Sequence, residues 1–328
     1  AWNGNPSLGL PDMVHRQGAG MLTIDHAILA ESEVTPSRLA LGEFESASPV
    51  ARRLNIRSLA RPHPRRHRHG DRWHDSDDCT EVTYTLGHEP APATGESTFA
   101  PTALGAFASV SFSEPTVTVG HGDGDRWRRR WRADDDRDDV VVTITPPAVA
   151  AARLFGGYVT LTPDDGGPML RVPYLGYNGD YQAIQALTPT PAGFPWLARL
   201  VGSSLVNQPN GATFTLAGTD RPFILFHLDH QIARLRATII DAATGERLGF
   251  SDREAFVGRN STAASFFALQ WDGTFTPNRW AEPQAVPNGT YLFEIRVLKA
   301  LGDPRNPAHR ELWTSPPIGI ARVTPTTE

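Results

Sequence analysis

The chain has 328 residues, 40 % of them hydrophobic and 20 % charged, with a formal net charge of −5. That length sets an expectation of about two domains, the composition excludes a disordered polyelectrolyte, and no run approaches the roughly 20 consecutive apolar residues of a membrane span. One cysteine excludes an internal disulfide framework, and the mild acidity argues against a general nucleic-acid binder, which needs a basic face to neutralise phosphates.

The 29 glycines and 28 prolines favour many short strands and turns over long helices. Among the basic residues only Lys299 is a lysine, a mark of GC-rich coding sequence more than of any demand of the fold. The chain opens at Ala1 without an initiator Met, a basic n-region or an apolar h-region, so it reads as a fragment whose targeting signal lies upstream or is absent. Gln17-Gly18-Ala19-Gly20 leads into a short helix over 21–30, with Met21, Ile24 and Ile28 on one face. An isolated helix this short is marginal in water, and the following sequence offers it no obvious partner, which points to a missing domain.

From Val34 the period changes to strand alternation, through Leu39, Leu41 and Phe44, then Val82, Tyr84 and Leu86, Val110 and Phe112, Val117 to Val119, Val140 to Ile144, Gly157 to Leu161 and Leu170 to Tyr174. Turns such as Pro163 to Gly167 separate these runs, as in a β-sandwich. A Pro-rich stretch from Thr188 to Trp196 reads as a linker or an ordered connection. Further strands follow at Thr213 to Leu216, Ile224 to Leu228, Ala237 to Ile240, Phe266 to Trp271, Tyr291 to Val297 and Ile318 to Val323, with hairpin-type turns at Asp241 to Gly245 and at Asn288-Gly289.

Three segments resemble the C-terminal part of secreted subtilisin-like serine peptidases of the S8 family, which carry fibronectin-III-like tail domains. They are Val14-His15-Arg16-Gln17-Gly18-Ala19-Gly20 with Ala27-Ile28, similar to the last catalytic-domain helix; Val34-Thr35-Pro36-Ser37-Arg38-Leu39, similar to the entry into the first tail domain; and Gly156-Gly157-Tyr158 through Arg171-Val172-Pro173-Tyr174-Leu175-Gly176-Tyr177. A weaker match is Trp271-Asp272-Gly273 with Pro287-Asn288-Gly289-Thr290-Tyr291. The resemblance implies an all-β chain of two tandem fibronectin-III-like antiparallel sandwiches, over 33–182 and 183–328, preceded at 1–32 by a remnant of the catalytic domain. It implies as partners an upstream catalytic domain of the same polypeptide and protein substrate, and an extracellular or cell-surface location.

A subtilisin-type triad needs an Asp, a His in a His-Gly-Thr-His context and a Ser in a Gly-Thr-Ser-Met-Ala context. None of these motifs is in the chain, and both His69-Gly70 and His121-Gly122 are followed by Asp. The chain alone is therefore expected to lack peptidase activity, with no catalytic residue and no cofactor site. The contrasting reading is a free-standing secreted adhesion or carbohydrate-binding module.

Other segments invite chemistry. His63, His67, His69 and His74 stand beside Asp75, Asp77, Asp78 and Cys79, and imidazoles with carboxylates could hold zinc or nickel; Pro62 and Pro64 favour an open, solvated insertion instead. Between 123 and 139, Trp127 and Trp131 sit among six arginines, a pattern of single-stranded nucleic-acid binders, but seven aspartates neutralise them and a solvated loop is the expectation. The two segments share a His-Gly-Asp and Arg-Trp pattern, which points to low-complexity expansion or out-of-frame reading. Asp164, Asp165, Asp229 and Asp303 could contribute to calcium, but no EF-hand-like ligand series supports it, and turn chemistry is expected. Tyr174, Tyr177, Tyr181 and Trp196 are expected in core and edge packing, and Cys79 has no base to make it a nucleophile.

Overall fold

The computed structural model describes residues 4–5, 9–21, 23–28, 30, 32–46, 48–59, 64–69, 72–77, 81–95, 99–100, 102–120, 137–149 and 152–322, with the side chains of 4–5, 26, 64–69, 72–77 and 137 left aside. The chain divides into two compact units, residues 1–97 with 101–180, and residues 98–100 with 181–328. Both are β-sandwiches, and the chain is all-β apart from short helical turns.

In the first unit one sheet runs in the order Ser109–Phe112, Arg137–Thr145, Val50–Ser58, Ser32–Thr35; the facing sheet runs Thr116–Val119, Val82–Ala91, Arg153–Pro163, Leu170–Asn178, Leu39–Phe44. Alternation decides which side chains enter the core. Val140, Val142 and Ile144 are fully buried against Leu54, Ile56, Val159 and Leu161. Pairing is antiparallel except at one edge, where Leu39–Phe44 runs parallel to Leu170–Asn178 with a register shift between Leu175 and Gly176.

The second unit repeats the plan. Ser204–Asn207, Trp196–Val201, Pro222–Phe226 and Phe267–Gln270 form one sheet; Ala212–Phe214, Ile318–Ile320, Gly289–Lys299, Ile232–Asp241 and Arg247–Val257 form the other, with Arg310–Thr314 also paired to Gly289–Lys299. Here too the parallel pair, Ala212–Phe214 with Ile318–Ile320, lies at an edge. Trp271 anchors the core edge-on to Tyr291 and Phe293, its indole N–H donating to the Thr274 carbonyl at 2.7 Å.

Several expectations change in detail. The Thr188 to Trp196 stretch is an ordered connection: Thr188 N–H donates to His227 O and Phe194 N–H to Pro189 O, while the Glu311 carboxylate accepts from Ala186 and Leu187 N–H, both at 2.7 Å. Asp241 to Gly245 is the expected turn, with Gly245 at φ +73° and the Asp241 carboxylate accepting from Ala243 and Thr244 N–H. Asn288-Gly289 is not a hairpin turn; Gly289 begins a long strand, and the Asn288 amide oxygen accepts from Arg322 N–H. Residues 64–69 and 72–77 form an antiparallel hairpin with His67 opposite His74, in place of the expected open loop.

Candidate interface at the amino-terminal helices

The helix expected over 21–30 is shorter, Ile24–Ile28, and a separate helical turn, Val14–Gln17, precedes it. The Val14–Gln17 turn is docked. Met13 and Val14 are 2 % and 6 % exposed, and Val14 packs with Ala91, Tyr158 and Leu175 on the outer face of the first unit's larger sheet. Asp12 sets the start of the turn, its carboxylate accepting from Met13 N–H at 2.8 Å and lying 3.3 Å from Arg16. Gly18 ends it at φ +57°, its N–H returning to Val14 O, a conformation that glycine adopts without the Cβ penalty.

The Gly156-Gly157-Tyr158 motif is explained by this docking. Gly156 faces outward, and a Cβ there would lie 2.9 Å from Val14 Cγ2 and 2.6 Å from Tyr174 O. Gly157 faces inward, where a Cβ would strike the Tyr174 phenol at 2.5 Å. Tyr158 faces outward again, is 1 % exposed, and donates its hydroxyl to Gly18 O at 3.0 Å. Burial first of all holds its pKa above the ordinary phenol value, so the hydroxyl keeps the proton it donates. Two segments identified separately in the sequence, at 14–20 and 156–158, thus meet.

Beyond Gly20 the segment turns its apolar side chains to solvent. Met21, Ile24 and Ile28 are 76 %, 65 % and 76 % exposed, and the spacing of Ile24 and Ile28 puts those two on one side of the short helix Ile24–Ile28. Large exposed apolar groups concentrated in one short segment are a usual mark of an interaction surface.

The other sequence candidates fall as follows. His63 and Cys79 lie outside the described residues, as does the 121–136 segment; of His67, His69 and His74 only the backbone is described, on the hairpin. Among the described residues no group of three or more His, Cys, Asp or Glu is placed to hold a metal ion. Asp164 and Asp165 accept from Thr83 and Gly167 N–H, and Asp303 from Arg305 N–H, as turn residues do. Tyr174 is fully buried and its hydroxyl lies 2.8 Å from His88 Nε2. Burial pushes the phenol pKa up and the imidazole pKa down, so both groups are held in their neutral forms, sharing one hydrogen bond. Tyr181 packs edge-on to His230.

Sequence reasoning missed two features of the second unit. His227, 1 % exposed, has Nδ1 on the Ser265 carbonyl at 2.5 Å and Nε2 on Asp229 at 2.8 Å, while the Ser265 hydroxyl donates to Thr262 O. Both ring nitrogens are engaged, so this His–Asp pair offers no base to the serine hydroxyl. A groove of about 480 Å³ is lined by Trp196, Trp313, Asn207, Asn210, Pro316 and Pro317. Trp313 is half-buried because alternate residues of Arg310–Thr314 face the core.

No protein-family model matches the chain, and no curated protein matches it. Among solved structures, it is similar to a chaperone–tip adhesin complex of CFA/I fimbriae (5 % identity over 88 % of this chain and 100 % of that one, TM-score 0.32). It is also similar to the fibronectin(III)-like modules of Clostridium thermocellum CbhA (8 %, 89 % and 94 %, TM-score 0.23) and to the secreted serine protease VesC of Vibrio cholerae (9 %, 85 % and 50 %, TM-score 0.25). These scores carry no functional argument. No described helix is long and apolar enough to cross a membrane.

Proposed function

We propose that this chain is the non-catalytic C-terminal portion of a secreted subtilisin-like serine endopeptidase, which steadies the catalytic domain and helps to position protein substrate. The supporting observation is the exposure of Met21, Ile24 and Ile28, a few residues beyond the docked Met13–Gly18 turn. Full burial of such side chains stabilises by roughly 1.5–3 kcal/mol each, enough together to secure a neighbouring domain. The triad would then lie on residues before Ala1.

The coding sequence directly upstream of Ala1 tests this. It should supply the Asp, His-Gly-Thr-His and Gly-Thr-Ser-Met-Ala contexts, and in the full polypeptide Met21→Ser with Ile24→Ser and Ile28→Ser should lower the temperature at which peptidase activity is lost. An upstream region without those contexts, or inhibitor-sensitive serine peptidase activity from this chain alone, would sink the proposal. The Trp196–Trp313 groove favours a second reading, a carbohydrate-binding module, because indole faces with nearby amides suit sugar rings. A glycan panel in which Asn210→Ala abolishes a specific signal would support it.

A further inference from the structure

The outer face of the second unit's larger sheet carries a row of like charges. Arg253 on Arg247–Val257 stands directly opposite Arg236 on Ile232–Asp241, which stands directly opposite Arg296 on Gly289–Lys299. Strands lie about 4.8 Å apart, so the row spans roughly 10 Å. Arg234 adds a fourth guanidinium two residues along the same strand, on the same face. The core side is settled by burial: Leu235, Ala237, Ile295 and Val297 are 0–1 % exposed, so Arg236 and Arg296 point outward.

Directly opposed like charges destabilise a sheet, and here they are barely compensated. Glu294, 3 % exposed, is held by Arg247 and Arg296. Among the described residues Arg234, Arg236 and Arg253 form no ion pair. Arg253 and Arg236 lie 3.5 Å and 6.0 Å from the Phe250 ring centroid, which supports the two guanidiniums from one side. The Arg236 pKa is held below its ordinary value, by burial first and then by Arg234, Arg253 and Arg296.

We infer that the Arg253–Arg236–Arg296 row is a binding site for a linear polyanion that carries sulfate or phosphate groups along its length. Guanidinium forks pair such oxyanions bidentately, and an extended row on a flat face suits repeated anions better than one small ion. A bound chain would remove the repulsion that the empty sheet carries. Phe250 is already engaged by the Arg253 and Arg236 guanidiniums, and among the described residues no other aromatic ring is placed in the row for bases to stack on, so a single-stranded nucleic acid is the less suited polymer.

The experiment titrates the whole chain with heparin, as the sulfate polymer, and with inorganic polyphosphate, as the phosphate polymer, across a salt series. At least one should bind, and the arm that binds identifies the source. Arg236→Gln with Arg253→Gln should weaken that binding about tenfold or more and flatten the dependence of log affinity on log salt by about two. The same variant without ligand should melt no lower than the parent, since it removes repulsion; this separates lost binding from lost folding. Arg279→Gln with Arg305→Gln makes the same change in net charge elsewhere on the second unit and should leave binding intact. Failure of both polymers to bind, equal loss in the two double variants, or tighter binding of single-stranded DNA than of either polymer would overturn the inference.

Discussion

The larger sheet has a covered outer face in the first unit and a bare one in the second. In the first, Gly156, Tyr158, Ala91 and Leu175 face outward and Val14 closes over them. In the second, the outward positions of three adjacent strands hold Arg234, Arg236, Arg253 and Arg296. Outward glycine and small apolar residues make sense only under a covering segment, whereas outward arginines hold their charge in water. The same architecture therefore presents an anchored N-terminal segment from one unit and a charged surface from the other.

The largest expected effect falls on the charged face. Glu294→Ala strips the two bidentate bonds to Arg247 and the bond to Arg296, leaving both guanidiniums without that partner beside Arg236. Breaking a buried pair costs about 3–5 kcal/mol, and because Arg247 is half-exposed the expected loss is nearer 2–3 kcal/mol. Chemical denaturation read on the second unit checks this. A loss below about 0.5 kcal/mol would mean that the carboxylate contributes no more than an exposed surface pair.

On the covered face, Gly156→Val puts a side chain into Val14 and the Tyr174 carbonyl. Overpacking of this kind costs about 1–3 kcal/mol, and the cheaper relaxation is release of the Met13–Gly18 turn. Limited proteolysis should then cut near Gly18 faster than in the parent, with the sandwich intact. Tyr158→Phe is the milder probe. It removes the hydroxyl that Gly18 O accepts and should cost about 1 kcal/mol, read as faster hydrogen exchange in residues 13–20.

Much of the covered face was legible in the sequence, and little of the charged one. Strand patterning located the runs around Val82, Val140, Val159 and Val172, whose apolar side chains enter the core. The Gly-Gly-Tyr and Gln-Gly-Ala-Gly motifs were visible separately, but their contact spans 140 residues of sequence, which no local pattern encodes. Periodicity placed Met21, Ile24 and Ile28 on one helical face without saying whether that face is covered. Arg247–Val257 escaped notice because its edge position leaves only Gly249 buried and erases the alternation; the Asp241 to Gly245 turn was the signal that a paired strand must follow. The arginine row exists only through registry among three strands, and registry follows from turns, bulges and core packing more than from composition.

The smallest effect separates the units by pH. In the first, His88 shares a hydrogen bond with Tyr174, and burial alone holds its pKa below the ordinary 6.5. In the second, His230 is also lowered by burial, but Asp229 opposes the shift while Arg259 adds to it; Tyr181 shares a hydrogen bond with its Nδ1. A histidine whose folded pKa lies below its unfolded value leaves the unfolded chain binding more protons. Its contribution is complete above the unfolded value and is lost as the pH falls through the folded one. Between about pH 7.5 and about pH 5.5 the first unit should lose more stability than the second, since burial disfavours the charged form of His88 with no carboxylate opposing it, whereas Asp229 opposes the shift of His230. Hydrogen exchange in residues 82–91 and 222–226 at the two pH values compares them directly. His88→Gln retains an acceptor without the titration and should remove most of the first unit's acid sensitivity; an unchanged pH slope in that variant would place the sensitivity elsewhere, with His15, whose pKa burial also lowers, as the next group to replace.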